Sequence, residues 1–375
     1  MPGGHRDILI AGAGATGLTA ALELVRRGHR PRIVDSDEGP VPMVESRALG
    51  INARTLTLLS PSRVSDVVLQ DAYRIDRFRA RSGGKLLFEL DPGRVTGRFP
   101  AIQMLAQGQT ERLLLSKLSD YEVVPEWQTV LERVENTGGK PHVVLRRPDG
   151  SAEELAPDIL IGADGAHSAV RKGAGLGFPG QALEESFYIA DFRYPEPIDP
   201  HYVEIDLFNP GMIGRLPVSS DTVRYLSTLS DFEKRIRHPV AGGQAVWVSN
   251  FRIHFRHVER MSSGNIFLAG DAAHIHSPAG ARGMNLGIED ACWLAYLISE
   301  GREQEYSGLR LPAVKTVLKQ TYGLTSLVTM RNPVVTGLRN ALMPIAVRIP
   351  FVADRLLRGI AGYDTPPPPW IDGAK

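Results

Sequence analysis

A single cysteine, Cys292, stands among the 375 residues, so the chain can close no internal disulfide and cannot complete a thiolate zinc site. An excess of charge of one sign is also missing. The 43 lysines and arginines are matched by 42 acids, which leaves neither a broad basic face for nucleic acid nor an acidic tail. No apolar run approaches the roughly eighteen residues that span a bilayer, and the residues before Asp7 lack the apolar core of a signal peptide. Internal repeats and low-complexity linkers are absent as well. The expectation is a cytoplasmic protein, monomer or homodimer, with no nucleic-acid partner and no integral membrane contact. It is long enough for two or three lobes around a small-molecule site.

What is present is a succession of buried strands, each punctuated by glycine. Ile8, Leu9 and Ile10 form a short apolar run that passes through glycines into the helical pattern Leu18, Ala21, Leu22 and Val25, a strand, tight turn and helix. Gly28 closes that helix, and residues 31–35 read as a second strand ending in an acid. Short helices are predicted from Asn52 and over 110–118, a three-stranded meander over 129–156, further buried strands over 159–162 and 265–269, and a helix over 286–299. Residues 181–255 alternate apolar and polar, as in Tyr202 to Leu207, and predict an antiparallel sheet covered on one face. Beyond 331 the pattern is helical, with breaks expected at Pro333, Pro344 and Pro350.

Gly12, Gly14 and Gly17 form GxGxxG at the first strand-to-helix junction, with Ala15 and Thr16 between them. The first glycine permits the turn, the second lets backbone approach a pyrophosphate, and the third packs helix on strand. The helix N-terminus then faces the phosphates. Asp35, followed by Ser36, ends the next strand where a carboxylate accepts ribose hydroxyls. With strand, helix and acid in place the pattern predicts a dinucleotide site, without deciding between NAD and FAD.

Two further segments, ILIGADGAHSAVR (159–171) and NIFLAGDAAHIHSPAGARGMNLGIEDA (265–291), resemble fingerprints of the para-hydroxybenzoate hydroxylase-like, class A flavin-dependent aromatic monooxygenases. Ser46, Arg47, Gln107, Thr110 and Glu111 also stand at family positions. The resemblance implies an α/β (α+β) fold: a Rossmann-like FAD-binding domain of three-layer architecture, an antiparallel-sheet substrate domain and C-terminal helices. The FAD-binding domain is expected to be discontinuous (1–70, 101–178 and 258–305), with the substrate domain at 71–100 and 179–257 and a helical segment at 306–375. No thioredoxin-like domain is expected after it.

The resemblance also implies residue roles. Asp271, after Gly270, would accept a ribityl hydroxyl, and the loop to Gly283, Met284 and Asn285 would set backbone N–H groups against the flavin edge that becomes negative on reduction. Asp164 and Gly165 would lie near the pyrophosphate, with Ser168 and Arg171 tying their loop to the next helix, while Arg47 and Gln107 would contact the cofactor. Pro278, His276 and Arg282 are the candidate catalytic residues, the first two walling the oxygenation chamber. NADPH or NADH would serve as transient reductant, dioxygen as co-substrate, and a flavin C4a-hydroperoxide would hydroxylate a phenolic or polycyclic aromatic ring. Tyr188, Tyr202, Met212, Arg215 and Tyr225 are candidates for the substrate pocket.

Some features stand outside that pattern. Ala281 and Arg282 replace the family's usual Gly and Gln, which suggests a guanidinium near flavin or substrate, and residues 225–247 look like a trimmed substrate lid. His274 and His276 lack a third ligand, so no metal is expected. Arg252, His254, Arg256 and His257 form a basic knot that is either a solvated strand edge or an anion contact. Residues 331–363 carry five arginines against one acid and are read as packing on the flavin domain in preference to a membrane surface. Same-fold alternatives are epoxidation, Baeyer-Villiger oxygenation and isoprenoid reduction, and a further one is a non-catalytic FAD-binding protein.

Overall fold

The computed structural model describes residues 6–42, 48–198, 201–237 and 241–371. At its centre lies a sheet in the order Ser262–Ser263, Ile266–Leu268, Ile159–Gly162, Ile8–Ala11 and Arg32–Val34. The last four strands are parallel, with Ile10 opposite both Ile161 and Ile33. Helices cover a parallel sheet, so its strands must be apolar on both faces, and Ile8–Ala11 and Ile159–Gly162 are buried throughout. Register brings the three sequence motifs to one edge, because Gly12, Ala163, Ala269 and Asp35 each follow the end of a parallel strand. Ligands of open α/β sheets bind beyond that edge.

The motifs interlock through missing Cβ atoms. Gly12 has φ +104°, and a Cβ there would collide with the backbone of Ala163 and Asp164. One on Gly17 would strike the Gly12 carbonyl. Thr16 is wedged between Gly270, where a Cβ would stand 2.6 Å from its Oγ1, and Gly287 of the Gly283–Ser299 helix, where the clash is closer still. The Ala15–Val25 and Gly283–Ser299 helices therefore pack against each other directly over the sheet edge.

Strands Val130–Thr137, Lys140–Arg146 and Ala152–Leu155 make the expected meander. An eight-stranded sheet joins Gly180–Arg193, Tyr202–Leu207, Met212–Pro217, Thr222–Ser227 and Gln244–His257 with Arg77–Ser82, Lys85–Leu90 and the short His274–Ile275 strand. It is antiparallel except where Arg77–Ser82 runs parallel to Tyr202–Leu207. Helices Gln107–Ser119 and Gly283–Ser299 each start three residues earlier than the apolar periodicity suggests. Helix Val64–Asp71 is a short element that the sequence pattern did not reveal.

The prolines of the tail act differently from expectation. Pro333 and Pro350 begin helices Pro333–Arg348 and Pro350–Ile360, the position where a missing N–H is harmless, and Pro344 sits inside the former without ending it. These helices pack on the large sheet and not on the flavin domain alone: Asn340 donates to Ser82 Oγ at 2.9 Å, and Val347 joins Phe88 and Leu90.

Gly287→Ala is expected to destabilise the protein by roughly 1–3 kcal/mol through overpacking against Thr16. Adding Thr16→Ala should recover part of that loss. Denaturant unfolding of both singles and the double mutant measures the coupling, and strictly additive effects would refute the interlock.

Candidate active site

The site edge is built from backbone held by a few side chains. Asp35 accepts the Ala13 N–H at 2.5 Å and the Asp37 N–H at 2.8 Å, so its carboxylate is aimed by the glycine turn itself. The Ala15–Val25 helix starts at Gly14 with no side-chain cap, leaving the dipole's positive end for an anion. Ser36 is exposed beside it. Buried Glu111 accepts from Gln107 Nε2 at 2.9 Å and from the Val41 N–H at 3.0 Å. Burial pushes its carboxyl above the usual range, against the pull of those bonds and of the Ala15 N–H. The Gln107 side-chain amide is thus engaged with Glu111, a residue to which the sequence pattern assigned no separate role. Arg47 and Ser46 lie outside the described residues.

Asp164 accepts the Val170 N–H at 3.1 Å through one oxygen, while the other is buried with no protein partner. Gly165 has φ +74° with open space where a side chain would be. Ser168 caps the Ala169–Gly173 helix as expected. Arg171 reaches further, donating to Ala272 and Ala166 carbonyls at 2.9 Å, and so binds the second motif to the third. Asp271 is exposed on the Gly270–Ala272 turn at the end of the buried Ile266–Leu268 strand.

Beneath that turn lies a fully buried polar cluster. Asp290 accepts from the Gly270 N–H at 3.2 Å and from Arg310 Nε at 2.8 Å, and it pairs with His274 Nε2 at 2.6 Å. Arg310 and His274 hold the Asp290 carboxyl below its usual range despite burial. Arg310 also donates to Glu289 at 2.9 Å, which accepts from Thr365 Oγ1 at 3.2 Å. The two histidines diverge. His274 turns inward to Asp290, whereas His276 Nδ1 meets the Ser277 carbonyl at 2.8 Å and leaves a buried Nε2 without a partner.

The Pro278–Asn285 loop departs most from its expected chemistry. Pro278 is exposed at its mouth. Ala281 adopts φ +54°, the left-handed region that the family's glycine enters without strain. Arg282 does not face an open pocket: it donates to the Gly359 carbonyl and pairs with Asp364 at 2.7 Å, both side chains buried. The candidate role for Arg282 as a catalytic guanidinium is therefore corrected to a clamp between loop and tail. The Asn285 side chain is similarly consumed, donating to the Gly50 and Ala281 carbonyls at 2.7 Å and accepting the Asn52 N–H at 3.0 Å. Only backbone remains at Asn285 to face a cofactor. Gly283 opens the helix with space around it, and Met284 packs on the main core. The Thr16 side chain likewise serves packing.

The large sheet corrects four of the five pocket candidates. Its inner face meets the flavin domain: Phe78, Val203 and Leu216 pack with Leu49, Ile102, Met104 and Ala281. Tyr188, Tyr202, Arg215 and Tyr225 point to the other face. There Tyr188 stacks on Phe232, Tyr225 Oη meets Tyr194 Oη at 3.0 Å, and Arg215 donates to Tyr202 Oη at 2.8 Å. Met212 alone is on the inner face, buried with Phe187, Leu207 and Ile253. The inner-face row that sequence reasoning missed continues from Leu216 through Arg224 and Asp191 to Trp247. Arg224 is bidentate to Asp191 at 2.7 Å and lies 5.0 Å from the Trp247 ring. The available signal was Asp191 within the apolar run YIADF, since a charge there must find a buried partner.

Glycines that admit only backbone, an uncapped helix start and the unpartnered Asp164 oxygen all fit a bound dinucleotide. A family model described as "FAD binding domain" matches residues 5–225 and 228–309. The chain belongs to this FAD-binding family. It is 32% identical over 396 aligned residues to 6-methylpretetramide 4-monooxygenase of Streptomyces rimosus, across 95% of this chain and 69% of that protein. OxyS anhydrotetracycline hydroxylase from Streptomyces rimosus superposes with a TM-score of 0.79 at 28% identity, over 97% of this chain and 77% of the other. The p-nitrophenol 4-monooxygenase PnpA from Pseudomonas putida DLL-E4 shares the fold, with a TM-score of 0.82 at 21% identity over 95% and 98% of the two chains. The chain spans about two thirds of the length of the curated relatives it matches. It is a class A FAD-dependent monooxygenase with the expected mixed α/β fold, and no helix among its described residues is long and apolar enough to cross a membrane.

Two predictions concern the loop of this monooxygenase. Arg282→Gln strands the buried Asp364 carboxylate and is expected to cost about 3 kcal/mol, most of it recovered by adding Asp364→Asn; unfolding curves of the three variants check this. His276 has its pKa lowered to about 3, first by burial and then by His274. Because the unfolded imidazole takes a proton near its ordinary pKa of about 6.5, this depressed group favours the folded state above that pH. Its contribution is lost as pH falls from about 6.5 toward 3. His276→Gln should flatten the acid side of a stability-pH curve over that window, and an unchanged curve would show that His276 is not the group responsible.

Proposed function

We propose that the protein is an NAD(P)H-dependent aromatic hydroxylase acting on a polycyclic phenolic small molecule. The observation that carries this reading is the broad apolar inner face of the eight-stranded sheet, set against the Ala279–Ala281 turn. A flat, fused-ring compound matches such a wall, and burying its rings contributes about 25 cal/mol per Å² of apolar area. The two Streptomyces rimosus relatives, whose names specify 6-methylpretetramide and anhydrotetracycline, support a substrate of that kind.

When bound, FAD would accept two electrons from NAD(P)H and pass them to dioxygen, one oxygen atom going to the ring and the other leaving as water. The chain's residues supply place and surroundings. Asp35 receives ribose hydroxyls while the Gly14 helix start and Asp164 flank the pyrophosphate, and Asp271 orients the ribityl chain. Backbone N–H groups from Gly283 to Asn285, at the head of a seventeen-residue helix, stabilise negative charge at the flavin's edge. Pro278 and His276 wall the chamber. A neutral His276 brings no charge and draws little water into a space that must stay dry. Buried Arg224, neutralised by Asp191, gives the pocket wall a polar point that favours a hydroxyl or carbonyl on the ring system.

Purified protein should show flavin absorption, and a panel of polycyclic phenols should contain compounds that accelerate NAD(P)H oxidation. With labelled dioxygen, one labelled oxygen is expected in the product. An unlabelled product would overturn oxygenation, and the absence of stimulation across the panel would favour a non-catalytic flavoprotein. Leu216→Asp, which places a charge on the apolar wall, should raise KM for the ring compound at least about tenfold with flavin content unchanged.

A further inference from the structure

The Pro333–Arg348 helix is apolar on two sides, and only one of them is used. Thr336, Arg339, Met343 and Val347 turn inward, where Arg339 donates to the Leu327 carbonyl at 2.6 Å and Met343 and Val347 pack on the sheet. On the opposite side Val334, Leu338, Leu342 and Ile345 fall at i, i+4, i+8 and i+11, which at 3.6 residues per turn confines them to an arc of about 80°, and Ile349 follows at the extended C-cap. All five are exposed, Val334 by 79% and Ile345 by 59%. Phe351, 71% exposed, extends the stripe onto the Pro350–Ile360 helix, which packs against its predecessor. A contiguous apolar ridge of this kind marks an interaction surface.

Its charge is as unusual as its apolarity. Residues 311–363 hold seven cations (two lysines and five arginines) and one acid, Asp354, a net of six positive charges in a chain whose total is +1. The acid is occupied by Arg94 at 3.1 Å. Arg348 is exposed at the end of the ridge, and Arg355 and Arg358 are exposed at i+4 and i+7 from Phe351, on the same helical face. None of these three has an acidic partner among the described residues. In a two-fold dimer through the ridge this cationic end would oppose its own copy or solvent, with no acid to meet it. A plane that is apolar beneath and anionic at its surface satisfies both features at once, because arginine stems lie along the apolar layer while their guanidinium groups reach the headgroups.

We propose that the ridge of the two C-terminal helices docks peripherally on an anionic lipid bilayer. The helices lie in the interface and do not cross it. The Leu and Ile side chains enter the headgroup-acyl boundary, and Arg348, Arg355 and Arg358 pair with lipid phosphates. The apolar contacts and the cations are both required, since neither an uncharged bilayer nor polar anions alone would match the surface.

Vesicle co-sedimentation of the full chain tests this, with phosphatidylcholine alone and with about 30% phosphatidylglycerol. Binding is expected to the anionic vesicles only, and to weaken when salt rises from about 0.1 M to 0.5 M. Leu338→Ser with Leu342→Ser, and separately Arg348→Glu with Arg355→Glu, should each reduce binding at least about tenfold. These exposed positions belong to none of the buried clusters, so circular dichroism and flavin content should match the parent. No binding of the parent protein, or equal binding by the variants, would overturn the proposal. So would an oligomer, seen by analytical ultracentrifugation, that the serine variant dissociates, because the ridge would then belong to a second copy.

Discussion

The close approach of backbones at the carboxyl edge of the parallel sheet is the constraint on which the site depends. Gly12 lies against Ala163 and Asp164, and Thr16 against Gly270 and Gly287, with no room for a Cβ at any of the glycines. Each contact joins a different pair of motifs, so segments separated by about 150 and 250 residues become one surface. That edge carries backbone N–H groups and the three carboxylates Asp35, Asp164 and Asp271, each just beyond the end of a parallel strand. Side chains larger than hydrogen at these points would separate the strand ends and disperse the donors.

A second layer holds this edge rigid from below. Asp290 fixes the Gly270 turn, His274 and Arg310 neutralise and satisfy Asp290, and Glu289 carries the network to Thr365. Ions buried this deeply are retained only when each is paired and hydrogen-bonded. Here they connect the flavin turn to the far tail, while Arg54 donates to the Gly362 and Thr365 carbonyls and Arg282 pairs with Asp364. The Gly359–Thr365 stretch is thereby a strap on the flavin loop. The Ala281 and Arg282 departures from the usual Gly and Gln belong to this strap, one as a left-handed alanine packed beneath Gly50 and the other as the clamp itself.

The large sheet separates two kinds of aromatic and charged residue. On its outer face tyrosines and arginines cross-link one another, as Tyr202 does with Arg215 and Arg79. Its inner face is largely apolar, with Phe78, Phe187 and Phe251 among aliphatic side chains and the Arg224–Asp191 pair beside Trp247, and it packs on the flavin loop at Ala281.

Local sequence determined a good deal by itself. A glycine turn between an apolar run and an amphipathic helix has few conformations, so Gly12 to Asp35 declared a dinucleotide site, and the meander and buried strands followed from short-range pattern. The two longer motifs carried the family and its flavin. Only tertiary structure decided which face of the large sheet looks inward, because alternation has period two and a strand read alone is equally consistent with either side. That is why Tyr188, Tyr202, Arg215 and Tyr225 stood as pocket candidates with their direction open until the sheet turned them to its outer face, and Asp191 with Arg224 went unnoticed. Tertiary contacts also set the fate of Arg282 and Asn285, since their partners at Asp364, Gly359 and Gly50 lie far along the chain and no local rule couples such positions.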